Sequence, residues 1–166
     1  MNNKFRYFIS GKVGIGKSTL ANALIEKLTS KYAGFRTLRS DNGFVLKDIT
    51  TSNSKIIAKR VSDRFEIFPE VFNKLGINSL DYAVENNLPI LMDELGRFEL
   101  TAFNFRKKVL QIASDYNRLI VVIKDERNPF LDDLRAIAGM DLVYLTEDNR
   151  KGIWQELGLE FYEKTK

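Results

Sequence analysis

The chain predicts a three-layer α/β/α fold, with helices on both faces of a mainly parallel central sheet and an inserted β-hairpin. Three observations predict it. Short apolar runs alternate with segments of helical periodicity along the whole length. The run Leu119–Ile123, LIVVI, is apolar at every position, as a central parallel strand covered on both faces must be. A glycine-rich turn stands between the first apolar run and the first helical pattern.

The elements follow in order. Lys4–Ser10 reads as the first strand, and Leu20, Leu24, Ile25 and Leu28 then recur at helical spacing. Two strand-like runs, GFRTLRS and GFVLKDI, flank Asp41-Asn42-Gly43, which signals a hairpin. The stretch from Ser52 to Arg64 has the weakest pattern and is expected to be a loop or a short edge strand. Pro69 opens a short helix expected to stop at Gly76, and Asn78 is placed to cap the next, Leu80 to Glu85. Leu88–Glu94 is a buried strand, with Pro89 tolerable only near its start. Thr101 is placed to cap a long helix with Phe105, Val109, Ile112 and Tyr116 on one face. After LIVVI, Asn128-Pro129 supplies a cap and a first-turn proline, and Gly139 closes that helix. MDLVYLT is the last strand, and a helix ending at Gly158 follows it. Trp154 belongs to the core of that helix, and Arg106, Lys107 and Lys108 read as a solvated helix face.

Composition bounds the chemistry. The 166 residues suffice for one domain, 1–166. There is no Cys and no His, which excludes disulfides, thiolate nucleophiles, zinc-thiolate sites and imidazole bases. Chemistry must run on carboxylates, Lys, Arg, hydroxyls, backbone amides and hard metal ions. The net charge of +4 is interspersed rather than blocked, which argues against nucleic acid as a partner and suits a polyphosphate site. No apolar run approaches the roughly 18 residues of a membrane span, and the N-terminus lacks the apolar core of a signal peptide. The expectation is a cytoplasmic protein with no membrane partner; no protein partner is legible.

The segment GKVGIGKS, Gly11 to Ser18, fits G-x-x-x-x-G-K-[ST]. A polyphosphate needs many donors converging at short range. Backbone N–H groups supply them only where the chain wraps tightly and no Cβ obstructs, as Gly11, Gly14 and Gly16 allow. Lys12, Val13 and Ile15 complete the wrap with their amides. The following helix directs its free N–H groups and positive dipole end at the same anion. Lys17 reaches the β- and γ-phosphates, Ser18 ligates Mg²⁺, and Thr19 adds a second hydroxyl. The strand ending in Asp93-Glu94 supplies the complementary acids: Asp93 for Mg²⁺, Glu94 for orienting an attacking water. Glu94 is expected to point away from Asp93 because side chains alternate along a strand. Both groups belong at the C-terminal ends of the strands, where open parallel sheets bind ligands.

Gly11–Thr19 and the block DELGRFEL, Asp93 to Leu100, resemble the THEP1-type nucleoside-triphosphatases, a phosphate-loop family of RecA-like, additional-strand character. Gly34–Thr37 and Leu145–Arg150 look similar as well, so the resemblance runs nearly the whole chain in order. Val13 stands where that family often has Pro, and Phe98 where it often has Met. No residue is carried across from Ser40 to Arg64, where the alignment is poor. The resemblance implies Mg²⁺-dependent hydrolysis of ATP, GTP and other nucleoside triphosphates with loose base choice. Beyond the last strand, Asn149 and Arg150 are placed to meet the base or ribose. A second positive charge on the γ-phosphate is to be sought among Arg64, Arg97, Arg127 and Arg150. The same loop would also serve a nucleotide or small-molecule kinase, or a nucleotide-gated binding module.

Overall fold

A computed structural model describes residues 3–161 of the chain. The first half comprises β1 (Phe5–Gly11), α1 (Lys17–Leu28), β2 (Ala33–Ser40), β3 (Gly43–Asp48), β4 (Ser54–Val61) and β5 (Arg64–Ile67). A helical stretch follows: α2 (Pro69–Val71), a π-helical turn (Phe72–Gly76) and α3 (Ile77–Glu85). The rest is β6 (Ile90–Leu95), α4 (Phe103–Asp115), β7 (Arg118–Ile123), α5 (Pro129–Arg135), β8 (Asp141–Leu145) and α6 (Arg150–Glu156).

The strands form one sheet in the order β5-β4-β3-β2-β6-β7-β1-β8. From β2 to β8 every pairing is parallel. From β2 to β5 every pairing is antiparallel. The expected hairpin is present, with Ser40 opposite Gly43 across Asp41-Asn42. It is the first turn of a longer meander that also takes in the weakly patterned segment as β4 and β5. That segment lacked a pattern because only Ile57 and Ala58 of β4 are buried.

Side chains on the parallel strands alternate between the two faces. Leu91, Ile120 and Val122 pack with Leu20, Leu24 and Ile25 of α1 and Trp154 of α6. Ile90, Met92, Leu119, Val121 and Ile123 pack with Leu80 of α3, Val109 of α4 and Leu131 of α5. The sheet is therefore a middle layer, and β7 is apolar throughout because both of its faces are covered. No helix among the described residues is long and apolar enough to cross a membrane.

Two expected helix boundaries are corrected. The chain does not stop at Gly76 or restart at Asn78, since Gly76 has helical φ and ψ of −61° and −50° and the π turn runs directly into α3. Thr101 does not cap α4. The cap position is Ala102, and the carboxamide of Asn73, in the π turn, accepts the Phe105 N–H at 3.0 Å. A distant side chain thus does what a local one was expected to do. Asn128 behaves as expected and accepts the Leu131 N–H at 2.9 Å.

Gly76 owes its identity to close packing. A Cβ there would stand 2.7 and 2.9 Å from two ring carbons of Phe105. That ring is fully buried between Phe35 and Phe72, at centroid distances of 5.5 and 5.2 Å, and has nowhere to go. Gly to Ala inside a helix ordinarily stabilises by up to about 1 kcal/mol. Here Gly76→Ala is expected to destabilise by about 1–3 kcal/mol. A lowered midpoint in chemical denaturation is the expected result; an unchanged or raised midpoint would contradict this packing.

Candidate active site

The C-terminal ends of the parallel strands converge on one edge of the sheet. β1 runs into the glycine loop, with Gly14 and Gly16 at φ of +79° and +104°. Side chains with a Cβ rarely adopt this backbone, and it turns the chain into the first turn of α1. Lys17, 7% exposed, donates to the carbonyls of Gly11 at 2.7 Å and Lys12 at 3.0 Å. Two of its three protons are thereby committed to the loop, and the third is left for a ligand. The ammonium also stands 3.9 Å from Glu94 Oε2.

Ser18 Oγ donates to Asp93 Oδ1 at 2.9 Å, so the two residues expected to share a cation are already in contact. The other Asp93 oxygen faces Arg36, 3.5 Å away. Sheet register explains this neighbour, since β2 lies beside β6 with Arg36 opposite Asp93. Arg36 is itself held by Asn22 Oδ1 and, at 3.2 Å, by the Tyr32 hydroxyl. Burial pushes the Asp93 carboxyl above its ordinary range, against the lowering effect of the Ser18 hydrogen bond, Arg36 and Lys17.

Glu94 does not alternate away from the site. The pairing with β7 slips between Asp93 and Leu95, so Glu94 is the extra residue of a bulge, and the Asp93–Glu94 peptide bond is cis. A bulge re-aims a side chain, and both carboxylates face Lys17, Asp93 with Arg36 and Glu94 with Lys124 besides. The Glu94 carboxyl is raised chiefly by burial; Lys124 and Lys17 oppose that shift. Lys124 directly follows β7, and its stem lies over Gly96.

A cavity of about 370 Å3 opens in front of these groups, bounded by Gly14, Lys17, Ser18, Glu94, Arg97 and Lys124. A second, of about 350 Å3, lies on the other side of the glycine loop between Val13, Ile15, Tyr144 and Thr146. Lys12 and Glu147 also line the second, and Thr19 the first. Neither cavity is lined by Asn149 or Arg150. The Asn149 carboxamide is spent inside its own loop, donating to the Tyr144 carbonyl and accepting the Thr146 N–H, both at 2.8 Å. Arg150 pairs with Glu147 at 3.2 Å.

Of the arginines considered as a second positive charge, Arg97 lines the first cavity. Arg64 and Arg127 lie on the surface against Asp63 and Asp132. Sequence reasoning missed Arg36, Arg39 and Lys124, all at this edge. It also assigned no role to Glu99, which is 2% exposed and accepts the Gly96 N–H at 3.0 Å. Burial raises the Glu99 carboxyl to about 7.

The fold and this edge together define an α/β protein of the phosphate-loop class. The sequence model of the family described as NTPase matches residues 6–157, and the chain belongs to that family. It is 28% identical to the nucleoside-triphosphatase THEP1 of Aquifex aeolicus, over 92% of this chain and 96% of that protein. It is 29% identical to the nucleoside-triphosphatase THEP1 of Methanocaldococcus jannaschii, over 92% and 94% of the two chains. The crystal structure of THEP1 from Aquifex aeolicus superposes with a TM-score of 0.77 at 27% identity, covering 91% of this chain and 95% of that one.

The buried Glu99 makes stability depend on pH. Its carboxyl holds a proton more tightly in the folded protein than in the unfolded chain. The stability this brings is complete below the ordinary value of 4.5 and is lost as pH rises to about 7. The loss is about 3 kcal/mol at most. Burial shifts Asp93 and Glu94 in the same direction. Glu99→Gln is expected to flatten the profile of unfolding free energy over that interval, measured by urea denaturation at stepped pH. An unchanged slope would show that Glu99 does not titrate there.

Proposed function

We propose that the protein hydrolyses nucleoside triphosphates to the diphosphate and phosphate, with Mg²⁺ and with loose choice of base. The observation that carries this is the meeting of Ser18 with Asp93 and of Lys17 with Glu94 at the mouth of one cavity. Names of the relatives point the same way.

The residues fit a magnesium ion. Ser18 and Asp93 offer hard oxygen donors, and they fill few positions, as befits an ion that keeps waters and substrate phosphates in its shell. When bound, Mg²⁺ would neutralise charge on the β- and γ-phosphates. The amides of residues 11–16 wrap the phosphates, and Thr19 adds a hydroxyl beside them. Lys17 keeps its two carbonyl bonds and turns its remaining proton to the anion. Arg36 fixes the Asp93 carboxylate from behind. Glu94 accepts a proton from the attacking water, and burial, which raises its affinity for protons, suits a base. Arg39, Arg97 and Lys124 line the cavity and are the cations available to charge developing on the γ-phosphoryl group.

The nucleoside falls to the second cavity. Asn149 and Arg150 act on it only indirectly: Asn149 closes the loop behind it, and Arg150 pairs with Glu147, which lines it. With that carboxamide already spent, few side chains remain to read a base edge, which favours loose base choice.

A phosphate-release panel with the common triphosphates, with and without Mg²⁺, tests this. The kcat/KM values are expected to fall within about tenfold of one another, because shape alone discriminates weakly. Lys17→Ala should abolish release. Glu94→Gln should leave nucleotide binding intact and slow turnover by about 10²–10⁴-fold. Wild-type turnover in Glu94→Gln would remove Glu94 from its role, and a strict preference for one base would contradict the second cavity as described.

A further inference from the structure

Next to the first cavity lies a third, of about 400 Å3. It is walled by Arg39, Arg60, Arg97 and Lys124, and its one carboxylate is Asp41. Among the described residues, none of these four cations is in an ion pair. The first cavity shares Arg39, Arg97 and Lys124 with it, so the two adjoin; of the four cations, Arg60 lines the third alone.

An aromatic trio organises the cations. Phe44 of β3, Phe65 of β5 and Phe98 after β6 lie 5.0 to 5.7 Å apart, centroid to centroid. Arg39 sits 5.8 Å over Phe44, Arg60 5.6 Å over Phe65 and Arg97 5.6 Å over Phe98. The Lys124 ammonium is 5.7 Å from Phe44 and 5.5 Å from Phe98. Cation–π contact orients the three guanidinium groups without neutralising them, while Lys124 also faces Glu94 and Glu99. Four like charges gathered around one concavity repel each other, and an anion between them would relieve that. Guanidinium forks match the oxygens of a phosphate. The volume is that of a small-molecule site and is generous for a bare phosphate ion.

We propose that this cavity binds a second, phosphomonoester-bearing small molecule, separate from the nucleotide held by the glycine loop and seated beside its γ-phosphate. The excess of cations over the single carboxylate suits a dianion. Its placement rests on the nucleotide reading above; the cation cluster itself does not.

The test loads the protein with Mg²⁺ and excess adenylyl imidodiphosphate, then titrates adenosine 5′-monophosphate, ribose 5-phosphate and adenosine by calorimetry. Phosphomonoester binding is expected, weakening as salt rises, with no binding of adenosine. Response to both phosphates assigns recognition to the phosphoryl group; response to the mononucleotide alone adds the aromatic floor. Arg60→Gln should weaken binding about tenfold and Arg60→Lys less, both with wild-type triphosphate hydrolysis. The proposal is overturned if neither phosphomonoester binds, if adenosine binds as well as its monophosphate, or if Arg60→Gln binds like wild type. Failure of the analogue itself to bind would instead count against the nucleotide reading. The same titration on unloaded protein would then still read this cavity through the Arg60 variants.

Discussion

Ser18 and Asp93 lie 75 residues apart, and their hydrogen bond at 2.9 Å joins the first turn of α1 to the end of β6. It depends on a carboxylate kept where little water reaches it. Burying a charge is unfavourable unless opposite charge and donors compensate. The hydroxyl of Ser18, the guanidinium of Arg36 and the ammonium of Lys17 all face Asp93. Removing any one of them leaves the carboxylate less compensated. Glu94 and Glu99 pose the same problem within a few residues, and Lys124 is set against both.

The sheet makes this arrangement possible. Five parallel strands bring the ends of β1, β6, β7 and β8 to one edge, and β2 passes through the same region as it leaves β6 to start the meander. One strand thus carries Arg36 toward Asp93 and Arg39 toward the cavity. The aromatic trio then ties the meander to the loop after β6, so the antiparallel half forms a wall of the site. The slip in register at Glu94 leaves two consecutive carboxylates both facing Lys17, which regular alternation along a strand would not give.

What the sequence revealed followed from locality. The glycine loop, Lys17, Ser18, Asp93 and Glu94 sit within short stretches whose spacing is legible without the fold. Alternating apolar runs likewise disclosed the parallel strands, since burial on both faces leaves a pattern. Arg36 was hidden because its meaning comes from β2 lying beside β6, a matter of strand order. Lys124 could have been found, because it directly follows a strand already recognised as central and parallel. The exposed strands β4 and β5 left little pattern to read. Asn149 and Arg150 follow the last strand as expected, but their polar groups are satisfied within the loop and by Glu147, which spacing could not disclose.

The most direct measurement is a crystal structure with Mg²⁺ and a non-hydrolysable triphosphate. The metal should touch Ser18 Oγ and reach Asp93 directly or through one water, with Glu94 facing the γ-phosphate and the amides of residues 11–16 around the anion. A triphosphate lodged elsewhere, or a metal with Asp93 outside its first two shells, would contradict the whole assignment.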